Sequence, residues 1–174
     1  MRGLFGVAMV EIRTERLLLR RARMDDLADV HAIMRDPAVM RYWSTAPHAT
    51  MEQSAEWLRS MVEADPMVSD DYVIERVGRV VGKIGCWKLP EIGFYLAPDQ
   101  WGQGIAGEAM AAYLARRRAL GGPVALIADV DPRNLASLNL LTRHGFVETS
   151  RESGTWVVGD EICDSVYLAL DLAR

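Results

Sequence analysis

The chain has few cysteines and no long apolar segment, and each shortage excludes a class of protein. Cys86 and Cys163 are the only cysteines, and they lie far apart without the spacing of a metal site. No apolar run approaches the ~20 residues of a membrane helix, because glycines and charges interrupt the longest stretches. We therefore expect a cytoplasmic protein with buried free thiols, no metal and no membrane partner.

Charge and length narrow the class further. The formal net charge is −4 at pH 7, which argues against nonspecific binding to nucleic acid and suits a cationic amine substrate. The 174 residues are 50% hydrophobic and 25% charged, as expected of one domain with its own core. We find no repeat and no linker. Residues 11–174 are therefore predicted to form a single domain, after a poorly ordered lead of residues 1–10.

The most specific pattern is a strand, a glycine-rich loop and a helix. Glu91–Leu96 is rich in β-branched and aromatic residues and is followed by Pro98, which disfavours further pairing. Apolar residues then recur at helical spacing after Gly104, with Glu108 in the first turn and arginines near the end, as the helix dipole favours. A loop of small residues at a helix N-terminus presents unpaired backbone N–H groups. This loop is therefore predicted to bind a phosphorylated cofactor.

The same loop also spells a dinucleotide fingerprint. Gly102, Gly104 and Gly107 give G-x-G-x-x-G, and Asp129 lies at roughly the spacing of a ribose-binding acid. The fingerprint's first glycine normally ends the strand, however, whereas Pro98, Asp99, Gln100 and Trp101 intervene here. A doubly wound sheet also needs more strand–helix units than this chain can supply. A dinucleotide-dependent oxidoreductase is therefore the less favoured hypothesis, and a tight loop without ligand is another.

Four ordered blocks resemble one family. WGQGIAGEA at 101–109 looks like a W-G-x-G-x-A-x-E-A loop, and DPRNLAS at 131–137, continuing to Gly145-Phe146, looks like an N-x-x-S helix ending in G-F. The segments 14–20 and 159–167 resemble a T-x-R-L-x-L-R first strand and a closing hairpin. All four are features of the GCN5-related N-acetyltransferases (the GNAT superfamily), particularly the branch of ribosomal-protein N-acetyltransferases. The resemblance covers most of the chain from Thr14 onward.

The remaining patterns suit the fold of that family. Helical spacing predicts helices over Met24–Met34 and about Met51–Ala64. Tyr72–Arg76 and Val80–Trp87 are predicted to form a hairpin. The predicted fold class is α+β, with a mixed, largely antiparallel central sheet flanked by helices.

The resemblance implies the residues that bind acetyl-CoA. In this family the cofactor wedges between two splayed central strands, here Glu91–Leu96 and Val124–Val130. Asn134 would hydrogen-bond the pantetheine arm, and it is equally suited to cap the helix that follows it. Backbone groups of Phe94, Tyr95 and Leu96 would line the same arm. The pyrophosphate would be held by the amides of Gly102, Gln103, Gly104, Ile105, Ala106 and Gly107.

Proton transfer has fewer candidates. Relatives often carry a tyrosine acid seven residues after the asparagine, but Leu141 occupies that position. Ser137 matches the serine of the ribosomal-protein branch and is the predicted acid, with helix packing as the alternative. Glu91 is the predicted base, with a cross-strand salt bridge at a sheet edge as the alternative. We interpret the histidines His31, His48 and His144 as structural.

Together these patterns predict an N-acetyltransferase that moves an acetyl group from acetyl-CoA to a primary amine by direct transfer in a ternary complex. The favoured acceptor is a protein or peptide α-amine, because such an amine is partly neutral without a strong base. A small-molecule amine is the second choice. A homodimer is also expected. The non-enzymatic alternative is a sensor module that binds acyl-CoA without turnover.

Overall fold

The computed structural model describes residues 11–121 and 124–173, so the predicted lead of residues 1–10 lies outside the described residues. The strands are β1 (Ile12–Arg13), β2 (Leu18–Arg20), β3 (Asp70–Arg76), β4 (Arg79–Lys88), β5 (Glu91–Leu96), β6 (Ala125–Val130), β7 (Val147–Val158) and β8 (Glu161–Asp171). The helices are α1 (Leu27–Met34), α2 (Pro37–Met40), α3 (Met51–Val62), α4 (Ile105–Leu120) and α5 (Leu135–Arg143).

The strands form one sheet in the order β1-β2-β3-β4-β5-β6-β8-β7. Every neighbouring pair is antiparallel except β5 and β6, which are parallel. The predicted fold class, α+β with a largely antiparallel sheet, is therefore confirmed. A doubly wound dinucleotide-binding fold needs a mostly parallel sheet, so the oxidoreductase hypothesis is wrong.

Alternation along the strands gives the sheet an apolar core on each face. In β3, Tyr72 and Ile74 join the core that contains the buried residues of α4 and α5, whereas Val73 joins the core of α1, α2 and α3. In β5, Ile92 belongs to the first core and Tyr95 to the second. Successive side chains of a strand point to opposite faces, so helices cover both faces of this sheet.

The predicted helices and the β3–β4 hairpin are confirmed, with one helix added. The helix predicted over Met24–Met34 is a short 3-10 turn followed by α1, and α3 ends two residues before the predicted boundary. The additional helix, α2, is only four residues long. The Asp36 side chain caps it by accepting the Ala38 amide at 2.8 Å. A single turn is too short to show helical periodicity, which is why the sequence pattern missed it.

The segment predicted as one first strand, residues 14–20, is instead a turn followed by the short strand β2. The Thr14 amide donates to the Leu17 carbonyl at 3.0 Å, and the Leu17 amide donates to the Thr14 hydroxyl at 2.9 Å. A threonine side chain competes in this way with the hydrogen bonds of a strand. The turn reverses the chain, so that β1 and β2 pair antiparallel.

The sheet opens between β5 and β6. The two strands share one paired position, Glu91 opposite Ile127, and the Ile127 amide donates to the Pro90 carbonyl at 3.1 Å. Beyond this point β5 continues to Leu96 and β6 continues to Val130, and the two strands do not pair with each other again. A gap therefore separates the C-terminal halves of two central strands.

Candidate active site

The loop before α4 has the backbone geometry of an anion site. Gly102 and Gly104 have φ values of +70° and +75°, which side chains other than hydrogen disfavour. The Glu108 amide donates to the Gly104 carbonyl at 3.0 Å. Among residues 11–121 and 124–173, no acceptor bonds the amides of residues 102–107. These amides sit at the positive end of α4 and are free to bind phosphate oxygens.

The turn between β1 and β2 holds this loop in place through Glu108. The Glu108 carboxylate accepts the Thr14 hydroxyl at 2.5 Å, the Arg16 amide at 3.0 Å and Arg16 Nε at 2.6 Å. Arg16 also donates to the Gln103 carbonyl at 2.9 Å. Burial alone raises the pKa of the Glu108 carboxyl, but the bonds from Thr14 and Arg16 outweigh it and lower the pKa. The carboxylate thus binds the turn instead of opposing an incoming anion.

Trp101 links the loop to the end of β5. Its indole N–H donates to the Leu96 carbonyl at 3.0 Å. On the other side of the loop, Arg76 donates to the side-chain oxygens of Gln100 at 2.7 Å and Gln103 at 3.0 Å. The loop is therefore fixed to β3 and β5 by side chains, which leaves its amides exposed.

The hydrogen-bond pattern of β5 decides which backbone groups face the gap. The Ala97 amide donates to the Val81 carbonyl of β4 at 2.8 Å. Backbone direction alternates along a strand, so Tyr95 and Gly93 also point their N–H and C=O groups toward β4. Phe94 and Leu96 point theirs toward β6, where no strand pairs with them. Of the three predicted residues, Phe94 thus offers its N–H and C=O to a ligand and Leu96 offers its N–H, because Trp101 already bonds the Leu96 carbonyl. The Tyr95 backbone is directed into the sheet.

A cavity of about 190 Å³ lies at this gap, between the ends of β5 and β6 and the start of α5. It brings together four of the predicted site residues from separate parts of the chain. They are Glu91, Phe94, Asn134 and Ser137.

Asn134 and Ser137 present polar groups to the cavity. The Asn134 side-chain oxygen accepts the Ser137 amide at 3.2 Å and so caps α5. Among the described residues, the Asn134 amide nitrogen and the Ser137 hydroxyl have no hydrogen-bond partner. Leu141 is fully buried in the core, so it supplies no acid where relatives carry tyrosine.

Glu91 lies on a central strand, not at a sheet edge. Lys88 of β4 is its partner in register, yet Glu91 forms no salt bridge with any described residue. Its side chain is exposed and lines the cavity. The geometry therefore leaves this carboxylate available to a ligand.

Several residues of the cavity were not identified from the sequence. Asp129 of β6 accepts the indole N–H of Trp156 at 2.9 Å, although the sequence had suggested only a ribose-binding role for it. Tyr42 and Trp43 follow α2, in a segment without a recognisable motif. No motif covers these positions, because their side chains come together only in the folded chain. Arg41, Cys163 and Asp164 also line the cavity.

Asp131, which lines the cavity, forms an ion pair with Arg133. Arg133 donates to it through Nε at 2.9 Å and through Nη2 at 2.5 Å. The Arg133 hydrogen bonds lower the pKa of the Asp131 carboxyl, and the charge of Arg41 lowers it further. Arg41 itself lies over the Tyr42 ring at 5.2 Å. Arg133 therefore pairs with Asp131, and Arg41 interacts with the Tyr42 ring and with the charge of Asp131.

The three histidines lie outside the cavity. His31 and His48 both contact the buried Ser54 hydroxyl through Nδ1, at 2.8 and 2.9 Å. Burial lowers the pKa of His48, and the neighbouring His31 adds to the effect. His144 caps the end of α5, where its Nδ1 contacts the Leu140 carbonyl at 2.9 Å.

The two cysteines differ in their surroundings. Cys86 is buried, as predicted, and burial raises the pKa of its thiol to about 12. Cys163 is half-buried and lines the cavity, so the prediction that both thiols are buried is wrong for Cys163. Over the described ranges, no cluster of His, Cys, Asp and Glu is suited to a metal. Nor is any described helix long and apolar enough to cross a membrane.

Comparison with known proteins identifies the family. Residues 16–147, more than half of the chain, match the model of the acetyltransferase (GNAT) domain. A curated protein from Bacillus licheniformis, the uncharacterized N-acetyltransferase p20, is 25% identical over 154 residues. That match covers 79% of this chain and 83% of the relative.

Solved structures share the fold. A GNAT-family acetyltransferase from Bacillus anthracis is 24% identical, with a TM-score of 0.81 over 95% of this chain and 100% of that one. An acetyltransferase from Salmonella typhimurium that modifies the N-terminal serine of ribosomal protein L7/L12 is 16% identical, with a TM-score of 0.83 over 93% and 99%. A spermidine N-acetyltransferase from Vibrio cholerae, solved with CoA and spermine, is 17% identical, with a TM-score of 0.80 over 92% and 98%.

Proposed function

The chain belongs to the GNAT family of acetyltransferases, and from that premise we propose that it acetylates the α-amine of a peptide or protein. Acetyl-CoA is the donor of this N-acetyltransferase, and the transfer is direct, within a ternary complex. A small-molecule amine is the second choice of acceptor. The observation that carries the proposal is the single cavity that joins Glu91, Asn134 and Ser137 at the gap between β5 and β6.

The chain fits acetyl-CoA on the donor side of this gap. The free amides of residues 102–107 suit the pyrophosphate, because they combine unpaired donors with the positive end of a helix. The Asn134 amide nitrogen and the backbone N–H and C=O of Phe94 suit the amides of the pantetheine arm. Glu108, the carboxylate in the first turn of α4, is occupied by Thr14 and Arg16. It therefore does not repel the phosphates.

Bound acetyl-CoA supplies a thioester whose carbonyl carbon accepts the amine and whose thiolate leaves. The Leu96 N–H, which points into the gap, is positioned to donate to the carbonyl oxygen. Glu91 takes the proton of the amine, directly or through water, and Ser137 donates to or orients the departing sulfur. Tyr42, which also carries a hydroxyl, is a second residue of the cavity lining. Ser137→Ala and Tyr42→Phe, compared side by side, assign the acid.

The base favours an acceptor of low basicity. None of the described histidines or lysines lines the cavity, so the base is a carboxylate. At pH 7 about 0.04% of a free lysine side chain is neutral, against about 10–15% of a peptide α-amine. An α-amine therefore reaches its reactive form about 300 times more often without help. The solved structures with this fold include one enzyme that modifies an N-terminal serine and one spermidine N-acetyltransferase. The fold therefore does not distinguish these acceptors, and the choice of an α-amine is supported by the residues that line the cavity.

The proposal includes a cytoplasmic homodimer. Both cysteines are free thiols, as suits a reducing compartment. Exposed apolar side chains on the β7–β8 hairpin support self-association. They are Val147, Val157 and Ile162. Sedimentation of the purified protein at micromolar concentration measures the assembly, and a monomer at every concentration contradicts it.

An acceptor comparison at fixed acetyl-CoA tests the function. The acceptors are a peptide with a free α-amine, a peptide with a blocked α-amine and one lysine, and spermidine. Release of CoA thiol and mass spectrometry of the products report the rate and the site. We expect rapid acetylation of the free α-amine only. Faster acetylation of the lysine or of spermidine at neutral pH would contradict the proposal, and reactions without the protein supply the background.

A further inference from the structure

The acceptor side of the cavity contains a carboxylate that the reaction does not use. Asp129 lies on β6, two residues beyond Ile127, which pairs with Glu91. Because β5 and β6 separate after that pair, Asp129 and Glu91 line the cavity from different strands. Only one of two such carboxylates is needed to take the proton of the amine.

The Asp129 carboxylate is held in place. The indole N–H of Trp156, from β7, donates to its Oδ2 at 2.9 Å. An indole nitrogen can only donate, so this bond fixes the orientation without neutralising the charge. Oδ1 has no partner among the described residues. A fixed carboxylate with one free oxygen is arranged to receive a donor from outside the chain.

The charge balance of the cavity points to a cation. Glu91, Asp129 and Asp164 all line it, and none forms a salt bridge with a described residue. Asp131, by contrast, is paired with Arg133, and Arg41 lies over the Tyr42 ring and lowers the pKa of Asp131. The aromatic rings of Phe94 and Trp156 also border the space, whereas the rings of Tyr42 and Trp43 already lie beside Arg41 and Lys83. Carboxylates without a salt bridge and neighbouring aromatic rings together favour a positively charged ligand.

The reacting amine cannot supply that charge throughout the reaction, because it must be neutral when it attacks. A carboxylate that serves binding therefore needs a second cation, which persists in the product. We infer that Asp129, oriented by Trp156, is a specificity-determining residue that selects acceptors with a positive group beside the amine to be acetylated. This inference rests on the proposed function and names its acceptor class: an α-amine whose own or following residue is basic.

The test compares three dipeptide amides with the same N-terminal alanine: Ala-Arg, Ala-Gln and Ala-Glu. The arginine side chain keeps its charge and is not acetylated, so the measured rate is that of acetylation at the α-amine. Wild-type protein is expected to show kcat/KM about 10- to 100-fold higher for Ala-Arg than for Ala-Gln, mainly through KM, and lowest for Ala-Glu. Asp129→Asn should reduce this preference to within about twofold. Trp156→Phe, which removes the N–H and keeps a ring, should reduce it partly.

The exposed Asp160→Asn, at the turn of the same hairpin and outside the cavity lining, is the matched control and should keep the full preference. Equal kcat/KM for Ala-Arg and Ala-Gln in the wild type would overturn the inference and leave the proposed function standing. An unchanged preference in Asp129→Asn would also overturn it. If Asp129→Asn does not fold, the wild-type comparison and Trp156→Phe decide. No acetylation of any peptide, with acetyl-CoA binding intact, would overturn the proposed function and the inference with it.

Discussion

Replacing Gly104 by glutamate should separate cofactor binding from folding. Gly104 is the N-cap of α4 with φ +75°, so any side chain there costs about 1–2 kcal/mol of folding free energy. A Cβ at this position meets only Arg16 Nη2, at 3.6 Å, an ordinary contact. The matched control is Gly104→Gln, which has the same shape and backbone strain without the charge.

The difference between the two variants comes from electrostatics. Two unit charges ~4 Å apart interact by about 1 kcal/mol in water and about 4 kcal/mol at an effective dielectric of 20. The glutamate variant should therefore bind acetyl-CoA between about 5-fold and about 900-fold more weakly than the glutamine variant. A carboxylate at a helix N-terminus stabilises the helix by about 0.3–1 kcal/mol. The glutamate variant should thus be at least as stable as the glutamine variant.

Calorimetric titration with acetyl-CoA measures the two affinities, and urea unfolding measures the two stabilities. Raising the salt concentration should narrow the gap in affinity, because exposed charges are screened. Equal affinity in the two folded variants would refute phosphate binding by this loop. Weaker binding that follows a matching loss of stability would attribute the effect to misfolding.

Three further predictions concern the chemistry and the loop. Ser137→Ala should lower kcat by about tenfold or more with little change in acetyl-CoA affinity, measured by thiol release and calorimetry. A kcat equal to that of the wild type would mean that Ser137 serves only in helix packing. The log rate should climb with pH to a plateau near the acceptor pKa of ~7.7–8.0, and Glu91→Gln should lower it only modestly; a loss of several orders of magnitude would make Glu91 an essential base. Glu108→Gln should destabilise the protein by about 1–2 kcal/mol at neutral pH. Because the folded pKa of Glu108 lies below its ordinary 4.5, this contribution is complete above that pH and disappears as the pH falls through the folded value. A constant difference between wild type and Glu108→Gln in urea unfolding from pH 3 to 7 would contradict it.

The sequence by itself determined the elements whose signals are local. The strand Glu91–Leu96 and the helix from Ile105 follow from residue type, periodicity and a glycine-rich start, all of which act within a few residues. Asn134 at the start of α5 is likewise a local cap. For the same reason the sequence failed where a local bond competes with a strand, as in the turn that Thr14 forms before β2.

The tertiary structure alone decided the cavity. Glu91, Asp129 and Trp156 lie on three strands, and they meet because β5 and β6 pair at one position and then separate. That separation depends on the register of the whole sheet, which no short segment contains. Tyr42 lines the same cavity from a segment with no periodic pattern. Residue type and spacing thus specified the loop that suits the donor, whereas strand register, a long-range property, formed the cavity proposed to take the acceptor.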